Sequence, residues 1–142
     1  MAMEITFAMI KPDAVQAKHV GKIIDMIEQH GFEIIRIAKG QLAEQDAQVF
    51  YDVHKERPFF GELVEFVTSG PVVVMALARE NAVKEWRDLM GATNPAEAAE
   101  GTVRKRFGTS IGSNATHGSD APETALREIA LFFPELVQRK EQ

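Results

Sequence analysis

Asn114-Ala115-Thr116-His117-Gly118-Ser119-Asp120 places a histidine among small residues, directly ahead of what the next residues predict to be a helix. A ring with little bulk on either side can turn a nitrogen toward a bulky phosphoryl donor, which suits a nucleophile. Asp120, with Glu123 three residues on, reads as the N-cap and N3 of a capping box. That sets His117 just before a helix N-terminus, where phosphate is favoured. An isolated His-Gly is more often a plain polar turn, so the surrounding chain has to separate the two readings.

Downstream, Leu126, Ile129, Ala130 and Phe133 predict the core face of the last helix, and Glu128 falls off that stripe, as a solvated carboxylate does. Pro134 ends the helix and leaves a short charged tail. Upstream, Gly91 to Asp120 shows no periodicity, and aperiodic segments of that length in a small domain are functional or disordered. Arg104, Lys105 and Arg106, then Gly, Ser and Thr residues, lead into the histidine. That composition fits a phosphate pocket, with an exposed basic patch as the plainer alternative.

Further out the chain alternates strand and helix patterns. Glu4 to Ile10 is apolar on both parities, which predicts a central strand covered on both faces and stopped at Pro12. Lys11 stands at its carboxyl end with the parity of Met9, either at the rim of a ligand site or as a solvated strand-closing lysine. Val20, Ile23, Ile24 and Ile27 predict an amphipathic helix closed by Gly31, and Phe32 to Ala38 a returning strand. Ala47, Phe50, Tyr51 and His54 repeat the helical spacing, with the tyrosine and histidine on an otherwise apolar face. Phe60, Leu63, Val64 and Val67 make another stripe, outside which Phe59 lies with no evident core role. Pro71 to Ala78 predicts a second buried central strand. Asn81 caps a helix whose stripe is Val83, Trp86, Arg87 and Met90; a guanidinium on such a stripe should snorkel or meet an anion.

The 142 residues are enough for one domain with its own core, and we expect one. A net charge of -5 argues against broad nucleic-acid binding, which needs a basic surface. With no cysteine, disulfides, zinc-thiolate sites and thiol catalysis are excluded. The N-terminus carries Glu4 rather than a cationic leader and no apolar run reaches membrane-spanning length, so a cytoplasmic protein is expected.

There is no P-loop, no kinase-type glycine loop, no cysteine and no His-Glu-x-x-His helix, which points to a histidine as the nucleophile. Such a histidine needs one neutral ring nitrogen, a carboxylate or carbonyl on the other, and cations around the transferring group. Glu128 is a candidate for the carboxylate; Lys11, Arg87, Arg104 and Tyr51 are candidates for the rest, if the fold brings them together.

At this point the residues resemble a family. Asn114 to Asp120 is similar to the active-site signature of nucleoside diphosphate kinases. Ile10-Lys11-Pro12-Asp13-Ala14-Val15, His54 to Phe60, Thr68-Ser69-Gly70-Pro71 and Leu89 to Pro95 match in the same order, along essentially the whole chain. The resemblance implies an α+β, ferredoxin-like βαββαβ fold with a four-stranded antiparallel sheet, and assigns its fourth strand to the histidine region. It also implies a ping-pong phosphotransfer from a nucleoside triphosphate to His117 Nδ1 and on to a nucleoside diphosphate, with low selectivity for base or sugar.

Carried over by motif, Lys11 would reach the ribose 3′-hydroxyl and terminal phosphate, Tyr51 would support the histidine, and His54 would approach the α-phosphate. Phe59 would stack on the base with Ile111 opposite and Leu63 lining the slot. Arg87 and Thr93 would hold the β-phosphate, Arg104 the γ-phosphate and Asn114 the ribose. Glu128, steadied by Ser119, would orient the imidazole. Mg²⁺ would arrive with the nucleotide, with Asp120 helping through water. Family members assemble as homo-oligomers, which implies a hexamer or tetramer. The chain departs from the pattern at Lys105-Arg106, where many members have a small residue and an acid, and at Trp86, where a smaller polar residue or histidine is frequent. The competing readings are a non-catalytic nucleotide-binding domain on the same fold and a DNA-binding protein resting on the Arg104 to Arg106 cluster alone, which the net charge disfavours.

Overall fold

Strand β1, Glu4–Ile10, lies antiparallel to β3, Val72–Arg79, in register from Glu4↔Arg79 to Ile10↔Val73. Both are the double-sided apolar runs that predict central strands, and both are buried along most of their length. Strand β2, Glu33–Gly40, adds to the far side of β3 with a bulge between Ile34 and Arg36, and β4, Thr116–Gly118, adds to β1. The order is therefore β2-β3-β1-β4, all antiparallel, in the computed structural model, which describes residues 3–138. This is the ferredoxin-like βαββαβ sheet that the resemblance implies.

Alternation along β1 and β3 divides the core in two. Ala8, Ile10, Val73, Met75 and Leu77 face α1 (Pro12–Gln16), α2 (Val20–Gln29), α5 (Ala82–Met90) and α6 (Val103–Phe107). Phe7, Met9, Val72, Val74 and Ala76 face α3 (Glu44–Phe50), α4 (Phe60–Val67) and α7 (Pro122–Phe132). A short α8, Glu135–Gln138, follows. Helix α2 buries Ile23 and Ile27 and is followed by Gly31 at φ 90°, a left-handed turn that a Cβ would resist. Full burial of a side chain such as Phe7 or Ile27 contributes about 1.5–3 kcal/mol, which is how so few residues per helix fix its position. Among the described residues no helix is long and apolar enough to cross a membrane.

Four local expectations are corrected. Asn81 occupies the N-cap of α5, but its backbone is left-handed (φ 56°) and its side chain makes no capping bond. Helix α7 starts one residue later than the capping box predicts: Ala121 is the N-cap, Pro122 opens the helix, and no side chain caps it. Proline sets the helical φ in advance and has no N–H to satisfy, so it overrides the Asp120/Glu123 pattern. The region from Gly91 to Asp120 is not structureless, since it contains a 3₁₀ turn at Pro95–Glu97, α6 and β4, each too short to show periodicity. The buried face of α7 is Ala125, Glu128 and Ile129, while Leu126 is 55% exposed. The charged tail from residue 139 onward lies outside the described residues.

Candidate active site

The carboxyl end of β1 and the paired β4 form the floor of the site. In the register Met9↔His117, with Ala8↔Gly118 and Ile10↔Thr116 on either side, His117 points to the Met9 face and its two neighbours to the other. Contrary to the expectation from sequence, the smallness of Gly118 therefore does not clear space beside the imidazole. A Cβ there would sit 2.5 Å from Trp86 Cδ1, so glycine is required by packing on the opposite face. Ala115, which turns the chain into β4, has φ 78° and is fully buried. Its N–H donates to Asp13 Oδ2 (3.0 Å) and its carbonyl accepts from the Lys11 N–H (2.8 Å), which holds this unfavourable conformation in place.

The imidazole lies against Phe50 (ring centroids 4.9 Å) and Phe7 (6.2 Å), and its Nε2 is 3.2 and 3.3 Å from the two oxygens of Glu128. Glu128 is only 5% exposed, and the buried Ser119 hydroxyl donates to its Oε1 at 2.7 Å. The expected solvated carboxylate is thus an interior one, tolerated because it is hydrogen-bonded from two sides. With Nε2 engaged, Nδ1 is the ring nitrogen that makes no hydrogen bond among the described residues. Tyr51 is buried nearby; burial, and then the Glu128 charge, push its hydroxyl well above the usual phenol range, so it stays a neutral donor.

The cations gather on one side. Lys11 is 9% exposed, and its Nζ donates to Asn114 Oδ1 at 3.0 Å, while Asn114 Nδ2 donates to the Thr93 carbonyl at 3.0 Å. Burial and then the Arg104 charge bring the Lys11 ammonium down to about 8, with Asp13 opposing them. Arg104, also buried, donates to the carbonyls of Gly91 (3.1 Å) and Thr116 (2.9 Å), and its Nε has no partner. Burial and then Arg87 lower it to about 10. Two buried cations, each lowered by burial and by a neighbouring positive charge, form a place that an anion would relieve. Arg87 itself is exposed on the α5 surface rather than buried in its stripe.

A row of rings leads away from the imidazole: Tyr51 to His54 at 6.4 Å and His54 to Phe59 at 5.5 Å between centroids. Phe59 is 41% exposed at the start of α4, Leu63 is half-buried one turn on, and Ile111 is 59% exposed in the loop after α6. Asp120 is exposed and, with Arg87, borders a cleft of about 410 Å³ that runs past Glu4 and Lys84 and excludes His117. The structure thus brings Lys11, Asn114, Thr93, Arg104 and Arg87 into one group and His117, Glu128, Ser119 and Tyr51 into another beside it. Among the described residues no hydrogen bond or ion pair joins Ile111, Leu63 or Asp120 to either group, though Leu63 packs on the core that contains Tyr51 and Asp120 shares the Arg87 cleft. Sequence reasoning assigned no role to Asp13, which lies inside a quoted motif, or to Phe50 and Phe7, whose apolar spacing marks only a core.

The family model for nucleoside diphosphate kinase matches residues 4–137. The chain belongs to the nucleoside diphosphate kinase family. It is 56% identical over 131 residues to a nucleoside diphosphate kinase of Pelobacter propionicus, covering 92% of this chain and 96% of that one. A relative in Agrobacterium fabrum is 56% identical over 135 residues, covering 95% and 96%. Among solved structures, the Aquifex aeolicus nucleoside diphosphate kinase superposes with a TM-score of 0.93 at 45% identity, covering 95% of this chain and 98% of that one. The Encephalitozoon cuniculi enzyme gives 0.88 at 38%, covering 92% and 88%. Nucleoside diphosphate kinase membership agrees with the sheet order and with the histidine's placement on β4, the strand that periodicity alone did not find.

Proposed function

We propose that His117 carries a phosphoryl group between nucleotides. The γ-phosphorus of a nucleoside triphosphate is attacked by the Nδ1 lone pair, the N–P bond forms as the bond to the leaving diphosphate breaks, and the ring proton stays on Nε2 against Glu128. A second nucleoside diphosphate then attacks the phosphohistidine through its terminal oxygen and leaves as a triphosphate, restoring the ring. The observation that carries this reading is the Ser119–Glu128–His117 chain, which supports a tautomer protonated on Nε2 and nucleophilic at Nδ1.

Lys11, Arg104 and Arg87 supply charge to the transferring group, and Tyr51 a neutral donor. Asn114 and Thr93 set the sugar and phosphate positions, His54 approaches the α-phosphate, and Phe59, Leu63 and Ile111 give the base an apolar slot without base-edge readout, consistent with broad base use. Among the described residues no cluster of three carboxylate or histidine groups offers a resident metal site, so the donors fit a Mg²⁺ carried in on the phosphates, with the exposed Asp120 reaching it through water. The ion would neutralise phosphate charge. Assembly into a hexamer or tetramer belongs to the same reading; family membership and the open outer edge of β2, with Ile37 half exposed, support it, and light scattering tests it.

The test of the chemistry is a mass measurement after incubation with ATP. One acid-labile phosphoryl group should be gained and then lost on adding a diphosphate. In His117→Ala that gain should be absent while nucleotide still binds. A wild-type protein that binds ATP without gaining mass would instead be a non-catalytic nucleotide-binding domain.

A further inference from the structure

Trp86 is the chain's single tryptophan and stands where the resemblance predicts something smaller. It is fully buried on α5, on the face of the sheet away from the imidazole. Its indole Nε1–H donates to the carbonyl of His117 at 3.2 Å. Strand β4 has only three residues and meets the sheet through β1 alone; Arg104 holds its Thr116 carbonyl, and the indole holds the carbonyl of His117 itself. Gly118 is forced by the same contact, because a Cβ would lie 2.6 Å from Trp86 Nε1 and 2.6 Å from Met90 Cε. The indole is itself braced. Phe32 meets it edge-on at 6.4 Å, Arg79 lies over the Phe32 ring at 5.5 Å, and Glu85, on α5 beside Trp86, takes His30 Nε2 at 3.0 Å.

We propose that Trp86 is a positioning residue for the phosphoryl carrier: its indole N–H holds the His117 carbonyl, and thereby the azimuth of the imidazole, from behind the sheet. The inference rests on the phosphohistidine reading above. It assigns the indole no contact with nucleotide. A carbonyl oxygen has two lone pairs, so the indole can add to the sheet pairing rather than compete with it. A polar contact made by a fully buried indole fixes direction as well as distance. Near-attack geometry tolerates little error, and a displacement of about 1 Å at the reacting nitrogen is enough to slow transfer by up to about a hundredfold.

Trp86→Phe keeps an aromatic ring and most of the packing while removing the donor. In the full chain we expect single-turnover phosphorylation of His117 by ATP to fall about tenfold, and the return transfer to a diphosphate to fall by the same factor, since both half-reactions use one ring position. Nucleotide affinity should stay within about twofold, because no binding group has moved. Gly118→Ala pushes the indole aside and should slow transfer alone, yet add little when made on Trp86→Phe, since both changes break one link. The proposal is overturned if folded Trp86→Phe transfers at the wild-type rate, if its loss appears in affinity instead, or if the two substitutions add independently. Wild-type phosphorylation, run alongside, reports on the underlying reading separately: its absence would remove that reading, whereas its presence with an unaffected Trp86→Phe would remove only the role of the indole.

Discussion

Lys11 is placed where its own charge is unfavourable until an anion arrives. Its pKa falls from 10.5 to about 8 on folding, chiefly through burial and then through Arg104. Below pH 8 both states are protonated and the folded protein bears the full cost of the buried charge. Between about 8 and 10.5 the unfolded chain holds more protons, so stability rises with pH and the cost disappears. Lys11→Met should therefore raise the stability of the nucleotide-free protein at pH 7 by about 1–3 kcal/mol in urea denaturation, less whatever the lost bond to Asn114 contributed, while abolishing transfer. Nucleotide affinity runs the other way. It should weaken as pH rises through about 8, and calorimetry in buffers of different ionisation heat should show proton uptake on binding in that range. Glu128 is the residue that periodicity placed worst, since a carboxylate off the apolar stripe gives no sign of a serine and a histidine waiting inside. Glu128→Gln keeps the shape but not the charge, and should slow phosphorylation of His117 by about a hundredfold with nucleotide affinity little changed. Equal rates in the two proteins would show that the carboxylate does not set the tautomer.

Among the elements, those with a repeating pattern are legible in the sequence, and the two shortest that carry the site are not. Strands β1 and β3 are double-sided apolar runs and α2 has an intact stripe, so each was visible from one dimension. Strand β4 is three residues long and α6 five, shorter than any period can register. The apolar stripe of α7 predicts a face one residue out of phase with the buried one, because Leu126 is exposed and Phe133 lies beyond the helix, and by that pattern Glu128 belongs to solvent. Capping can be compared directly at two helix starts. Thr102 caps α6 with its Oγ accepting from the Lys105 N–H at 3.3 Å and donating to the Ala99 carbonyl at 2.7 Å. Thr102→Ala should cost about 1 kcal/mol in stability and loosen the helix that carries Arg104, raising KM more than it lowers kcat. At α7 the capping-box glutamate is exposed with no capping bond, so Glu123→Ala should shift the urea midpoint by less than the equivalent of about 0.5 kcal/mol.

At the scale of the whole molecule, the site exists because sheet order brings together residues that are distant in sequence: Lys11 leaves β1, Arg104 arrives on α6, and Asn114 precedes β4, which pairs with β1. No pattern along the chain encodes that adjacency, and the family signature supplied it where physics alone could only list candidates. The convergence leaves Lys11 and Arg104 desolvated side by side, with Arg87 adding to their repulsion, in a protein whose overall charge is -5. A nucleoside diphosphate should relieve that repulsion and bind the folded state only. At a hundredfold excess over its dissociation constant it would add about 2.7 kcal/mol, which for a domain of this size raises the thermal midpoint by about 8 °C. If the stabilisation comes from the cations, His117→Ala should keep nearly the whole shift, because the imidazole is not a binding charge. Arg104→Ala should lose most of it, each variant being measured against its own nucleotide-free midpoint so that the bonds to Gly91 and Thr116 drop out of the comparison. Equal shifts in the two variants would mean that binding is set by the base slot, and the clustered cations would then serve the transfer step alone.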